Sequence, residues 1–218
     1  MIIMKVKIDD NDSLYNFLFD TGAFTIIDKS LADDLGIIPE KTTVVRGSAG
    51  SPGFTGLTRI EKMRVGETEV FSVGAGIIDL SGIATTLGIH LHGIIGNNFF
   101  DGFTITWNYV NETFRIDTVH DPVEDGIVFS FRQDHLTSNA PRISTMIDKS
   151  TAIDMIFDTG FDELISLPAN LIGRLQYDTT RLLKATGVMT GGLFGNSPAD
   201  WLIKPRYLQL GPMKFEDI

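Results

Sequence analysis

The chain has 218 residues, no cysteine and a formal net charge of -10, which excludes disulfides, thiolate catalysis and cysteine-based zinc sites and argues against binding a phosphate backbone, since no Lys/Arg-rich stripe compensates locally. The length allows one large domain or two small ones, either able to bury a core. With 15 Phe and 22 Gly, and Val, Ile and Thr set in short runs broken by turn residues, the composition predicts a mostly β protein.

In chain order, Met1 to Lys7 alternates like a strand and has neither the apolar h-region nor the small-residue cleavage site of a signal peptide, so any leader is expected to have been removed. The compartment stays undetermined; an exported bacterial protein, periplasmic or secreted, is compatible with the lack of cysteine. Met4–Ile8 and Leu14–Phe19 flank the polar turn Asp9–Ser13 and read as a hairpin that ends on Asp20-Thr21-Gly22. Ile26-Ile27 follow, then Asp28 as a helix N-cap and a short helix as far as Leu35. A glycine-rich hairpin, Arg46 to Gly56, contains Gly50, Ser51 and Phe54 and leads into strands that turn at Gly66.

The most apolar stretch, Gly74 to Phe100, is interrupted by Asp79, Ser81, Thr85, Thr86, His90 and His92, so it cannot span a bilayer as a helix. It contains Ile94-Ile95-Gly96. A hairpin over Thr104–Tyr109 and Glu112–Ile116 comes next, with Trp107, Tyr109 and Phe114 alternating as packed cross-strand residues do. A boundary near Asp121 to Asp125 divides the chain into units 1–122 and 123–218.

The second unit retraces the first at an offset of 138 residues, 158 minus 20. Arg142–Ile147, the turn Asp148–Ser150 and Ala152–Phe157 repeat the first hairpin and end on Asp158-Thr159-Gly160. Leu164-Ile165, the N-cap Ser166 and a helix to Leu175 follow, with Pro168 in its first turn. Ala185 to Gly195, including Leu193 and Phe194, answers the glycine-rich hairpin, and Gly211 answers Gly66. The second copy stops at Ile218, where its counterpart of Ile94-Ile95-Gly96 would begin. The expectation is therefore a fragment of a longer protein, its second lobe incomplete, mobile or packed against another copy.

These motifs resemble the aspartic peptidases, and the retropepsin-like branch with its bacterial members more closely than the pepsins. The resemblance rests on Asp20-Thr21-Gly22-Ala23, on Ile94-Ile95-Gly96 and on the hairpin between them. It implies a two-lobed acid-protease fold with Asp20 and Asp158 as the catalytic pair. Thr21 and Thr159 are then hydrogen-bonded across the lobes, and Gly22 and Gly160 let backbone approach the carboxylates. Ile94, Ile95 and Gly96 brace the first turn, while Gly50, Ser51, Phe54, Leu193 and Phe194 belong to flaps over the substrate. Pepsin-like members carry Ser or Thr after the glycine, where this chain has Ala23 and Phe161.

Two carboxyls sharing one proton can activate a water on a peptide carbonyl and protonate the leaving nitrogen. The implied partner is an extended peptide or unfolded protein, with no cofactor or metal. A monomeric pseudo-dimer is expected, with a homodimer as the alternative assembly and a catalytically impaired peptide-binding module as the alternative function. His90 and His92 could face one side of a strand and hold a metal, but with no third ligand nearby in sequence they are expected to be solvated loop residues.

Overall fold

In the computed structural model, which describes residues 1–46, 52–119, 126–134, 139–148, 151–161, 165–167, 171–173, 175–178, 180–185, 189–192, 195–198 and 201–216, strands dominate. The first sheet is built from β1 (Ile3–Ile8), β2 (Tyr15–Phe19), β3 (Ile26–Asp28), β4 (Lys41–Arg46), β5 (Pro52–Val65), β6 (Thr68–Ile78) and β7 (Gly93–Ile95). Its order is β1-β2-β7-β3-β6-β5-β4, and β1 also pairs with β5, so six strands close on themselves while β4 hangs from β5 as a hairpin arm. Closure removes the free edges that invite association.

The period-2 alternation of β2 sorts its side chains to two cores. Phe17 and Phe19 point into the main one with Val6, Ile8, Met63 and Ile95, whereas Leu18 joins Ile26, Leu80 and Ile94 on the opposite face. Helix α1 (Lys29–Leu35) starts on Asp28, whose carboxylate accepts the Ser30 N–H, and stops at Gly36 with a φ of 68°. Both ends agree with the expectation. A second helix, α2 (Ser81–Leu87), was not foreseen. Its Gly82, Thr85 and Thr86 have low helix propensity, and the two hydroxyls bond back to the preceding turn instead.

The hairpin of β8 (Thr104–Asn108) and β9 (Thr113–Asp117) lies where the sequence puts it, with Trp107 opposite Phe114. Tyr109 falls outside the strand and is exposed, contrary to its reading as a packed residue.

A second sheet holds β10 (Arg132–Asp134), β11 (Ala140–Ile147) and β12 (Thr151–Ile156). Two short pairs follow, β13 (Leu183–Lys184) with β16 (Trp201–Leu202), and β14 (Met189–Gly192) with β15 (Gly195–Pro198). Strands β17 (Tyr207–Leu210) and β18 (Met213–Glu216) complete the second sheet against β11. Its hairpin turn behaves like that of the first. Asp9 and Asp148 have φ of 50° and 51°, donate their N–H to Lys62 O and Tyr207 O at 2.8 Å each, and accept a backbone N–H of the same neighbour through the carboxylate. Ser166 to Leu175, expected to be helical, falls partly outside the described residues, which carry no α-helix there.

Candidate active site

Each Asp-Thr-Gly segment leaves the end of a hairpin strand and turns at once. The strand is held up to its last residue, Phe19 N–H donating to Ile2 O at 2.9 Å and Phe157 N–H to Pro141 O at 2.8 Å. The turn then folds onto its own aspartate: Gly22 N–H donates to Asp20 Oδ1 at 2.7 Å and Gly160 N–H to Asp158 Oδ1 at 2.8 Å.

The two turns meet through their threonines. Thr21 Oγ1 donates to Phe157 O at 2.6 Å and accepts Thr159 N–H at 3.1 Å; Thr159 Oγ1 donates to Phe19 O at 3.1 Å and accepts Thr21 N–H at 3.1 Å. Both threonines are buried. Every hydroxyl is thus donor and acceptor at once, and no buried polar group of the four is left over. Serine or threonine is the only residue type small enough to do both here.

The glycines set the distance between carboxyls. A Cβ on Gly22 would lie 2.5 Å from Asp158 Oδ2, and one on Gly160 would lie 2.5 Å from Asp20 Cγ. Any side chain there would push the opposite carboxyl away. With glycine the carboxyls come within hydrogen-bonding reach of each other. Burial first, then the charge of Asp158 and its hydrogen bond, push the Asp20 carboxyl up to about 8, against the lowering effect of the Gly22 and Ala23 N–H groups. A second carboxyl this close disfavours the ionised form of Asp20.

Ile94, Ile95 and Gly96 stand beneath the first turn. β7 runs parallel to β2, with Leu18 opposite Ile94 and Phe19 opposite Ile95, and antiparallel to β3 on its other side. Ile95 O accepts the Asp20 N–H at 3.1 Å. Gly96 N–H donates to Thr25 Oγ1 at 3.2 Å, and a Cβ on Gly96 would come 2.3 Å from Ala23 O, so only glycine fits. The next two residues add to this support. Asn97 Nδ2 donates to Thr21 O, Asn98 Oδ1 accepts Thr25 N–H at 2.8 Å, and Asn98 Nδ2 donates to Gly74 O at 2.8 Å. Sequence reasoning missed both asparagines, although two amides directly after a glycine were the available signal. It also missed Trp107, whose ring stacks on Phe157 at 6.2 Å between centroids, bridging the first hairpin unit to the second turn.

Phe54 lies on the β4–β5 hairpin opposite Val44 and is 81% exposed. The remaining flap residues, Gly50, Ser51, Leu193 and Phe194, lie outside the described residues. His92 departs from the expectation of a solvated loop residue: it is half-buried, accepts Asn16 N–H at Nδ1 over 3.1 Å and packs 4.2 Å from His90. Among the described residues no group of three or more metal-binding side chains occurs, and no helix is long and apolar enough to cross a membrane.

A mostly β fold, with a closed sheet threaded by an apolar-apolar-glycine strand beneath an Asp-Thr-Gly turn, defines an acid-protease architecture. Residues 4–99, the closed sheet through Phe99, match the aspartyl protease family model. No curated protein matches the chain.

Proposed function

We propose that the protein is an aspartic endopeptidase, in which Asp20 and Asp158 of two duplicated lobes, 1–122 and 123–218, share one proton and activate one water. The observation that carries this reading is the mutual approach of the two carboxyls, each allowed in by the glycine of the opposite turn. The aspartyl protease match of the first half supports the same class. The ionised carboxyl takes a proton from water as it attacks the peptide carbonyl, and the protonated one delivers its proton to the carbonyl oxygen. The tetrahedral gem-diol then collapses as the carboxyl that took the proton from water gives it to the amide nitrogen, which leaves, while one gem-diol hydroxyl passes its proton to the other carboxyl, so the pair ends with one proton as it began. The substrate is an extended peptide or unfolded protein beneath the β4–β5 hairpin, where the exposed Phe54 covers it; backbone hydrogen bonds supply affinity and side-chain pockets selectivity. Both carboxyls come from one chain, so a monomer suffices.

The test is cleavage of a peptide library by wild type, Asp20→Asn and Asp158→Asn, with circular dichroism to confirm folding. Loss of cleavage in both variants is expected; a folded Asp158→Asn protein that retains activity would sink the dyad. A second reading, a peptide-binding module without turnover, draws on Phe157 being 43% exposed beside Asp158 where Phe19 is 1% exposed beside Asp20. A hydroxyl-bearing transition-state mimic separates the two. It binds far more tightly than the matching plain peptide if the site is catalytic, and equally if it is not.

A further inference from the structure

Asn97 is fixed against the Asp20 turn in a way that the shared-proton chemistry does not require. It opens the 3-10 turn Asn97–Phe99, directly after Gly96. Its own N–H donates to Ala23 O at 3.1 Å and its carbonyl accepts Phe100 N–H at 2.9 Å, so its backbone is pinned at both ends. From there Nδ2 donates to Thr21 O and stands 3.5 Å from Asn139 O, the residue that leads into β11 of the second sheet.

Thr21 O and Gly22 N–H are the two ends of one peptide group, and that N–H donates to Asp20 Oδ1 at 2.7 Å. The hydrogen bonds therefore run in series, from the Asn97 amide through the peptide to the carboxyl. A donor on the carbonyl polarises the peptide and makes its N–H a stronger donor. It also fixes the plane of the peptide, and with it the direction from which Asp20 is held. The contact toward Asn139 refers the same amide to the second sheet.

We propose that Asn97 is the positioning residue of the candidate dyad, acting on the Asp20 carboxyl through the Thr21–Gly22 peptide group. Its consequence for turnover rests on the peptidase reading, whereas its effect on Asp20 does not. The experiment separates them by reading Asp20 directly, through the carboxyl carbon resonance of protein labelled at aspartate. In Asn97→Ala, the Asp20 titration moves upward by about half a pH unit or more, because the ionised form loses part of its hydrogen-bond support. Asn97→Gln, which keeps an amide donor, returns part of that shift. On an unfolded protein substrate, kcat of Asn97→Ala falls about tenfold while KM stays within about twofold, and the alkaline limb of the pH profile moves up with the titration.

A folded Asn97→Ala protein with an unchanged Asp20 titration, losing only melting temperature, would make Asn97 a structural residue and overturn the proposal. Wild type that titrates as described but cleaves nothing defeats the peptidase reading alone. Should Asn97→Ala fail to fold, hydrogen exchange of the Asn97 side-chain amide in wild type decides. Protection is expected, and exchange at the free rate overturns the proposal.

Discussion

Replacing Thr21 by valine removes one oxygen and almost no volume, so its cost isolates the interlobe hydrogen bonds from packing. In wild type that oxygen satisfies Phe157 O and Thr159 N–H, with the groups at 2.6 and 3.1 Å. The isopropyl group satisfies neither. Leaving a buried polar group unpaired costs about 1–3 kcal/mol, so two of them cost about 2–6 kcal/mol, provided the lobes stay docked and water stays out. If instead they part, the cost is capped at the docking energy and the Asp20–Asp158 approach is lost. Either way cleavage should fall by at least about a hundredfold, since a displacement of about 1 Å already has an effect of that size. Urea unfolding measures the stability term. Docking is followed by Trp107 fluorescence in a Trp201→Phe background, because the Trp107 ring stacks on Phe157 across the contact. Thr159→Val removes the symmetric pair to Phe19 O and Thr21 N–H. The double variant should cost less than the sum of the singles, because lobes already parted have little more to lose. A folded Thr21→Val protein less stable by under about 0.5 kcal/mol, with unchanged Trp107 emission, would refute the reasoning, since the unpaired groups would then have found water or other partners.

Gly160→Ala places a Cβ 2.5 Å from Asp20 Cγ; we expect a folded protein with no measurable cleavage, and activity retained in that variant would show that the turns can part without loss of the site. His92 provides an acid limit to stability. Burial first, then His90, hold its pKa below 6.5, with Lys5 acting the same way and Asp28 opposing, so the folded state binds fewer protons than the unfolded one. Stability is full above about 6.5 and falls as the pH drops through that value toward the lowered one; melting curves between about pH 8 and 5 should show this loss in wild type and less of it in His92→Asn, which keeps an acceptor for Asn16 N–H. The pH-rate profile should peak nearer neutrality than is usual for shared-proton carboxylate pairs, because Asp20 retains its proton until the pH rises through its raised value; a peak below about pH 3.5 would contradict it.

Local chemistry made much of this molecule legible in the sequence. Asp20-Thr21-Gly22 and Asp158-Thr159-Gly160 each close an apolar run because a strand must leave its sheet there, and the hairpins before them are announced by polar turns such as Asp9–Ser13. Asp28 marks the start of α1 by the cap it forms, and the helix ends at Leu35 as its apolar spacing indicates. Less legible were contacts whose partners are far apart in the chain. Nothing local tells that Asn97 reaches the carbonyl of Thr21, or that Trp107 lies against Phe157, since both depend on how hairpins cross in three dimensions. His92 was misread for the same reason. A histidine two residues from another histidine, with no third ligand nearby in sequence, looks solvated until the start of β7 places it beside Asn16 and Tyr15.

The two aspartate turns, alike in their own hydrogen bonds, differ in what stands behind them. Phe19 is enclosed by Phe100, Trp107 and Phe114, each meeting its ring edge-on, and β7 lies alongside its strand. Phe157, in the matching place, is stacked on Trp107 and otherwise largely open, and among the described residues no strand pairs with the outer edge of β12. The first turn is therefore positioned by its own sheet. The second leans also on what the first lends it, four hydrogen bonds through the two threonine hydroxyls and one indole. On the peptidase reading proposed above, stability and catalysis are then coupled unequally: weakening the contact between the turns leaves Asp20 where its brace holds it and releases Asp158. Because the proton on the pair is held by burial and by the neighbouring carboxyl together, the movement of Asp158 alone would let Asp20 titrate closer to an ordinary carboxylate. Loss of docking thus removes the second carboxyl and the shared proton in one step.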